Sequence, residues 1–242
     1  MSNYVINELR DIEINTSIVL VSRSRPEMLL DLCLSLEATC DLPYEILVGC
    51  DMDDGSLSKY FYFFNEQDNI TFVIDKRNDN LHTKMNNMLP LVNGEHILVI
   101  NDDCKLSNKG WDTLVKEKMA GAENLYGRTH DNSIDRVSQD YAAFPLIKTS
   151  AARKLGFIMD ARFGNHGSDV VTYRIYSEGR DVVDLPEVQI DHVFHNSQEN
   201  LQKRSQDITA SDMINRTFSD PKFSVNELFT CDISKEVAKL NE

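Results

Sequence analysis

The chain has 242 residues, 41% of them hydrophobic, and a net charge of −14, which suits one large domain or two small ones with a sizeable core. That acidity argues against gripping nucleic acid with the whole surface, because phosphate binding is driven by Lys and Arg. With no apolar stretch near the roughly 18 residues of a spanning helix and no basic-then-apolar leader at the N-terminus, a soluble cytoplasmic protein without a membrane span is expected.

Residues 17–21 form a short apolar, β-rich run and predict a strand; Pro26 followed by helical spacing through residue 36 predicts a helix with proline in its first turn. Residues 45–50 predict a second strand ending in Asp51-Met52-Asp53-Asp54-Gly55-Ser56, residues 69–74 a third, and residues 82–91 a helix. The most informative stretch follows. Residues 97–100 are an apolar run that ends abruptly in Asn101-Asp102-Asp103. Such a run suits a strand covered on both faces, and the carboxylates cannot follow it into the core unpaired. They belong at the strand's C-terminal end, which in an open α/β sheet is where ligands bind. Two hard oxygen donors there suit Mg²⁺ or Mn²⁺ carrying phosphates. A solvated turn is the alternative, since Asn and Asp are good turn formers.

Beyond Asp103 the strand–helix alternation weakens. Residues 111–119 and 149–155 read as helices, the second ended by Gly156, and a Gly-rich turn over 163–169 precedes a helix over 170–177. Residues 181–185 and 188–190 suggest late strands, and the tail from 197 is polar and helical in pieces. The expected fold is α/β, a mostly parallel central sheet with crossover helices. Five cysteines, Cys33, Cys40, Cys50, Cys104 and Cys231, show no metal-finger spacing and read as reduced, mostly buried thiols. Residues 128–180 hold 8 basic and 6 acidic side chains, against 11 and 21 before them and 6 and 12 after. This segment alone has a positive balance, a possible anion-binding surface.

The order of these features resembles the family 2 glycosyltransferases of the GT-A fold over residues 15–195. A Thr-Tyr-Asn-Arg-Pro-like turn after the first strand corresponds to Ser22-Arg23-Ser24-Arg25-Pro26, and an Asp-Asp-Gly-Ser-like turn to residues 51–56. The family's Arg-Asn element corresponds to Met85-Asn86, beside Lys84; its Asp-x-Asp motif falls on Asn101-Asp102-Asp103. Its Gly-Glu-Asp element is similar to Gly167-Ser168-Asp169, and its late histidine to His192. The departures are Asn101 for the first acid, Arg23 for an aromatic, Met85 for the Arg and Ser168 for the Glu.

The resemblance implies a Rossmann-like sheet with a small antiparallel portion near the active edge. It implies a glycosyltransferase domain over 1–196, nucleotide-sugar-binding over about 15–105 and acceptor-binding over about 106–196, with a C-terminal helical extension over 197–242. The implied activity is metal-dependent, inverting transfer of a sugar from a nucleoside diphosphate sugar, UDP-sugar favoured, to an acceptor hydroxyl on a glycan or on a hydroxymethylated base in DNA. Mn²⁺ or Mg²⁺ would neutralise the departing diphosphate. Asp103 is the expected metal ligand, with His192 favoured over His195 as another; Asp102 is either a partner of that site or a turn cap. Asp169 is either the general base or an N-cap, a role Ser168 fills equally well. Asp51 or Asp53 would accept from a base N–H, unless they only shape a turn. Lys84, Arg23 and Arg25 would face the diphosphate, unless they are solvated cations, and Ser22, Asn86 and Asn101 complete the expected nucleotide site. Two rival readings stand: a nucleotidyltransferase making sugar nucleotides, disfavoured by the lack of glycine in residues 22–26, and a non-catalytic nucleotide- or sugar-binding domain of the same fold.

Overall fold

The computed structural model describes residues 13–78, 80–121, 125–132, 141–163, 167–179, 181–193 and 230–241. The first half alternates strand and helix: β1 (Thr16–Val21), α1 (Pro26–Thr39), β2 (Tyr44–Asp51), α2 (Leu57–Phe64), β3 (Ile70–Asp75), α3 (Leu81–Asn87) and β4 (His96–Val99). The second half holds β5 (Cys104–Leu106), α4 (Trp111–Lys118), β6 (Tyr126–Asp131), β7 (Leu146–Lys148), α5 (Thr149–Leu155), α6 (Ser168–Gly179), β8 (Val182–His192) and α7 (Ser234–Asn241). The eight strands form one sheet in the order β3-β2-β1-β4-β7-β6-β8-β5.

The β3-β2-β1-β4 half is parallel, as crossover helices require. β7 then runs antiparallel to β4 and to β6, and β5 antiparallel to β8, while β6 and β8 are parallel. Apolar runs without polar interruption follow from burial on both faces. On one face Ile18, Leu20 and Leu98 pack with Leu29, Leu32 and Leu36 of α1, Tyr60 of α2 and Trp111 of α4. On the other, Val19, Ile97 and Val99 pack with Met85 of α3, Ala152 of α5, Val171 and Ile175 of α6 and Leu240 of α7. No helix among the described residues is long and apolar enough to cross a membrane.

Four elements have no sequence counterpart above: α2, β5, β6 and β7. α2 is eight residues with five aromatics and a leucine and no side-chain cap, and β5 and β7 are three residues each, too short for a periodicity to declare itself. The helix expected over 82–91 ends at Asn87, and a 3-10 turn (Leu89–Leu91) carries Pro90 at its start, because proline removes a helical donor and clashes with the preceding turn. The two late strands are one. Opposite consecutive Thr129 and His130, β8 presents Leu185 and then Gln189, so the strand skips past Pro186, which has no N–H for the ladder. Beyond that irregularity β8 pairs with β5, setting His192 opposite Cys104. From the tail, α7 packs on α5 and α6 through buried Leu240, and Lys154 and Lys239 donate to the carbonyls of Leu240 and Leu155. His195 and residues 197–229 of the tail lie outside the described residues.

Candidate active site

The C-terminal ends of β1, β2 and β4 converge on the turn between β1 and α1. Ser22 extends the ladder with its N–H on the Gly49 carbonyl, and the chain then turns at Ser24, whose φ is 58°. That left-handed conformation is costly for a residue with a Cβ. Asp54 offsets it, accepting from the Ser24 N–H at 2.7 Å and from its Oγ at 3.1 Å. The turn sends the two flanking arginines to different acids. Arg23 reaches Asp51 at 2.8 Å and Asp53 at 2.6 Å, whereas Arg25 reaches Asp102 at 2.7 Å and Asp103 at 3.4 Å.

The acid pair after β4 is buried: Asp102 is 1% exposed and Asp103 7%. Ser22 Oγ donates to Asp102 Oδ2 at 2.6 Å and also contacts the Tyr60 hydroxyl at 2.6 Å, which accepts the Arg25 N–H at 3.0 Å. Burial, with the neighbouring Asp103 charge adding to it, pushes the Asp102 carboxyl up to about 6, against the pull of Arg25 and Ser22. Burial would raise Asp103 too, but His192 and Arg25 outweigh it and hold that carboxyl below its ordinary value. His192 Nε2 lies 3.2 Å from Asp103 Oδ1, and the Val193 N–H bonds the Asp103 carbonyl at 2.9 Å, so the end of β8 is tied to this turn. Phe144 meets the His192 ring edge-on with centroids 5.4 Å apart. Despite these neighbours, Asp102 Oδ1 and Asp103 Oδ1 are buried without an aligned hydrogen-bond donor. Asp103 Oδ1 and the imidazole nitrogen that faces it at 3.2 Å form a donor set that fits a divalent cation such as Mn²⁺.

A second acid cluster sits at the end of β2. Lys84 of α3, 3% exposed, pairs with Asp51. Burial opposes ionisation of Asp51, but Lys84 and Arg23 together bring its carboxyl below its ordinary value. Gly49 makes room for this lysine: a Cβ there would lie 3.0 Å from Lys84 Cγ and Cδ. Exposed Asp53 is held low by its hydrogen bond from Arg23.

The other expected residues are placed as follows. Asn101 is half-buried beside the acid pair, its carbonyl accepting from the Cys104 N–H at 3.3 Å. Asn86 points elsewhere: its amide oxygen accepts from the N–H groups of Ile158 and Met159 at 2.8 and 3.0 Å, and its nitrogen donates to the Met159 carbonyl at 2.8 Å. It fixes a loop ahead of α6. Asp169 lies within the first turn of α6, half-buried, and its charge raises the buried Tyr126 phenol, after burial itself. α6 begins at Ser168, so Asp169 is inside the helix and not its cap. Sequence reading missed Tyr60, Asp54 and Gly49 as parts of this edge. Asp54 stood within the Asp-Asp-Gly-Ser-like turn, and Gly49 left a signal as a glycine interrupting an apolar strand; Tyr60 left none.

No protein-family model matches the sequence, and no curated protein matches it. Solved structures do. The S. aureus protein TarS, residues 1–349 in complex with UDP, is 12% identical with a TM-score of 0.58, over 88% of this chain and 77% of that one. The same TarS segment in complex with UDP-GlcNAc is 10% identical with a TM-score of 0.60, over 94% and 79%. The mannosyltransferase PcManGT from Pyrobaculum calidifontis, in complex with GDP-Man and Mn²⁺, is 12% identical with a TM-score of 0.61, over 96% and 76%. At these identities the likeness speaks to architecture, and on that ground the chain has the GT-A fold of the glycosyltransferases.

Proposed function

We propose that the protein is a glycosyltransferase that moves a sugar from a nucleoside diphosphate sugar, UDP-sugar favoured, to an acceptor hydroxyl with inversion at the anomeric carbon. The observation that carries the reading is the buried pair Asp102–Asp103, with an under-bonded carboxylate oxygen facing His192 Nε2, at the sheet edge where α/β folds bind ligands. The fold supports it, since similar structures are described with UDP, UDP-GlcNAc, and GDP-Man with Mn²⁺.

Asp103 and His192 would hold a divalent cation, which supplies neutralisation of the departing diphosphate. Arg25, 38% exposed at its side chain and anchored on Asp102, presents its guanidinium toward the same anion. Ser22 and Tyr60 keep Asp102 in place. Arg23 and Lys84 fix Asp51, and Arg23 fixes Asp53, so that a carboxylate oxygen of Asp51 or Asp53 accepts from a base N–H. Asp169 is the general base: it takes the proton of the acceptor hydroxyl as that oxygen bonds to the anomeric carbon and the diphosphate leaves from the opposite face.

Among acceptors, a glycan is favoured over duplex DNA. Residues 128–180 contain eight Lys and Arg, and the six that are described are all engaged within the protein. Arg128 pairs with Asp184, Arg162 with Asp160 and Arg174 with Glu178, while Lys148, Arg153 and Lys154 donate to the carbonyls of Gly121, Val92 and Leu240. A surface whose cations are already paired has little left to exchange for phosphate counterions.

Thermal-shift titration with UDP-, GDP- and TDP-sugars, each with Mn²⁺ and with chelator, tests the donor. Selective, metal-dependent stabilisation by one nucleotide is expected, and no response to any of them overturns the reading. Asp169→Asn should keep donor binding and abolish transfer; unchanged turnover removes Asp169 from the base role.

A further inference from the structure

The donor set beside Asp103 includes a sulfur. Cys104 opens β5 and His192 closes β8, and the antiparallel register sets the two directly opposite each other, which puts their side chains on one face of the sheet. A carboxylate oxygen of Asp103, Sγ of Cys104 and a ring nitrogen of His192 all lie within 4.8 Å of one another, and all three residues are buried. Asp103 Oδ1 is the under-bonded oxygen of this group. We propose that Cys104 is a third ligand at this centre and that the site therefore selects a thiophilic divalent cation, Zn²⁺ above Mn²⁺ or Mg²⁺.

The proposal rests on the reading of Asp103 and His192 as metal ligands and extends it. Hard cations such as Mn²⁺ and Mg²⁺ gain little from sulfur, whereas thiolate, imidazole and carboxylate together are a zinc donor set. Oxygen and nitrogen ligands about 2.0–2.1 Å from a tetrahedral ion stand about 3.3 Å apart; Asp103 Oδ1 and His192 Nε2 are 3.2 Å apart. Arg25 does not compete for that oxygen, because it contacts Asp103 through Oδ2. Phe144 steadies the imidazole plane. When the metal–sulfur bond forms, the thiol proton leaves to solvent and no electron is exchanged. Three protein ligands leave a fourth position for water or a diphosphate oxygen. Zinc is then a competitor of manganese at the same centre, favoured by the side chain that follows the acid pair.

Cobalt(II) reports the ligands without reliance on turnover. Wild-type protein titrated with Co²⁺ should show visible d–d bands and a near-ultraviolet sulfur-to-cobalt charge-transfer band; Cys104→Ser should keep the first and lose the second. Competition titrations should give a Zn²⁺-over-Mn²⁺ preference that falls by about 10-fold or more in the variant. Visible bands without charge transfer in the wild type overturn the sulfur ligand and leave Asp103 and His192 standing. No cobalt spectrum overturns both, and charge transfer that survives in Cys104→Ser assigns the sulfur to another cysteine. Should Cys104→Ser fail to fold, zinc-edge X-ray absorption of the wild type decides alone: a scatterer at about 2.3 Å is sulfur, and a shell confined to about 2.0–2.2 Å excludes it.

Discussion

At the N-terminal ends of the parallel strands, Glu45 is 4% exposed and accepts from Ser17 Oγ at 2.5 Å, the Asn93 N–H at 2.7 Å and Asn93 Nδ2 at 2.9 Å. Ser17 Oγ in turn accepts the Gly94 N–H at 2.9 Å, and Thr149 Oγ1 donates to the Gly94 carbonyl at 2.6 Å. This network closes on itself and pins the turn before β4, where a Cβ on Gly94 would meet the Ser17 nitrogen at 2.5 Å. At the C-terminal ends, Asp102 and Asp103 are as deeply buried, yet each keeps an oxygen with no aligned donor, amid arginine and histidine. Burial of a carboxylate is therefore no mark of function. What separates the two edges is whether the fold itself completes the carboxylate's hydrogen bonds.

The sharpest way to break that comparison is to neutralise one acid at each edge. Asp103→Asn should lower turnover by on the order of 10³-fold while costing only about 1–2 kcal/mol of urea-unfolding stability, because it gives up the charge pairing with His192 and Arg25 but keeps the side chain's shape. Glu45→Ala should do the reverse. It strands the donors of Ser17 and Asn93 and should cost about 2–4 kcal/mol, with turnover per folded molecule unchanged. If Asp103→Asn unfolds the protein and Glu45→Ala does not, the division of labour between the edges is wrong.

The same contrast explains what was legible in the sequence. β1, β2 and β4 announced themselves because strands buried on both faces must be apolar throughout, and the acids that end them cannot be moved inward. The carboxylates and cations of the C-terminal edge were therefore visible as motifs, and Ser22, Arg25, Asp102, Asp103 and His192 do come together. Their pairing was not visible. Arg23 and Arg25 are two residues apart yet serve different acids, because of one left-handed serine that no local pattern predicts. Tyr60 is hidden in a short aromatic helix whose spacing matches any apolar segment. Asn86 carried a family motif, but its amide is committed to the backbone of residues 158 and 159, a contact across more than seventy positions that only the tertiary fold creates.

Asp54 offers a milder test on the C-terminal edge. It accepts from the N–H and Oγ of Ser24 and from the Ser56 N–H at 2.8 Å, so Asp54→Ala should cost about 1–2 kcal/mol and raise KM for the donor more than it lowers kcat, since the turn aims both arginines. Ser24→Gly in that background should recover about 0.5–1 kcal/mol by relieving the left-handed strain. Recovery of nothing would mean that Asp54 acts on Arg23 and not on the turn.

The smallest effect concerns a residue of the N-terminal edge that the closed network leaves out. His96 begins β4, is 0% exposed, and neither ring nitrogen has a hydrogen-bond partner among the described residues. Burial, assisted by the charges of Lys148 and Lys116 and opposed by Glu95, pushes the imidazole below its ordinary value. The folded protein therefore refuses a proton that the unfolded chain accepts near pH 6.5. Stability from this group is fully present above that pH and falls as the pH drops below it, by up to about 1.4 kcal/mol per unit until the folded value is reached. Between pH 7.5 and 5.5, wild type should therefore lose more stability than His96→Leu in matched urea titrations. The leucine variant should also be the more stable at both pH values, because it removes two unsatisfied nitrogens. Equal losses in the two proteins would mean that His96 takes up its proton in the fold as readily as in the unfolded chain, and the N-terminal edge would then hold a charge whose hydrogen bonds the fold does not complete, the condition that distinguishes the C-terminal one.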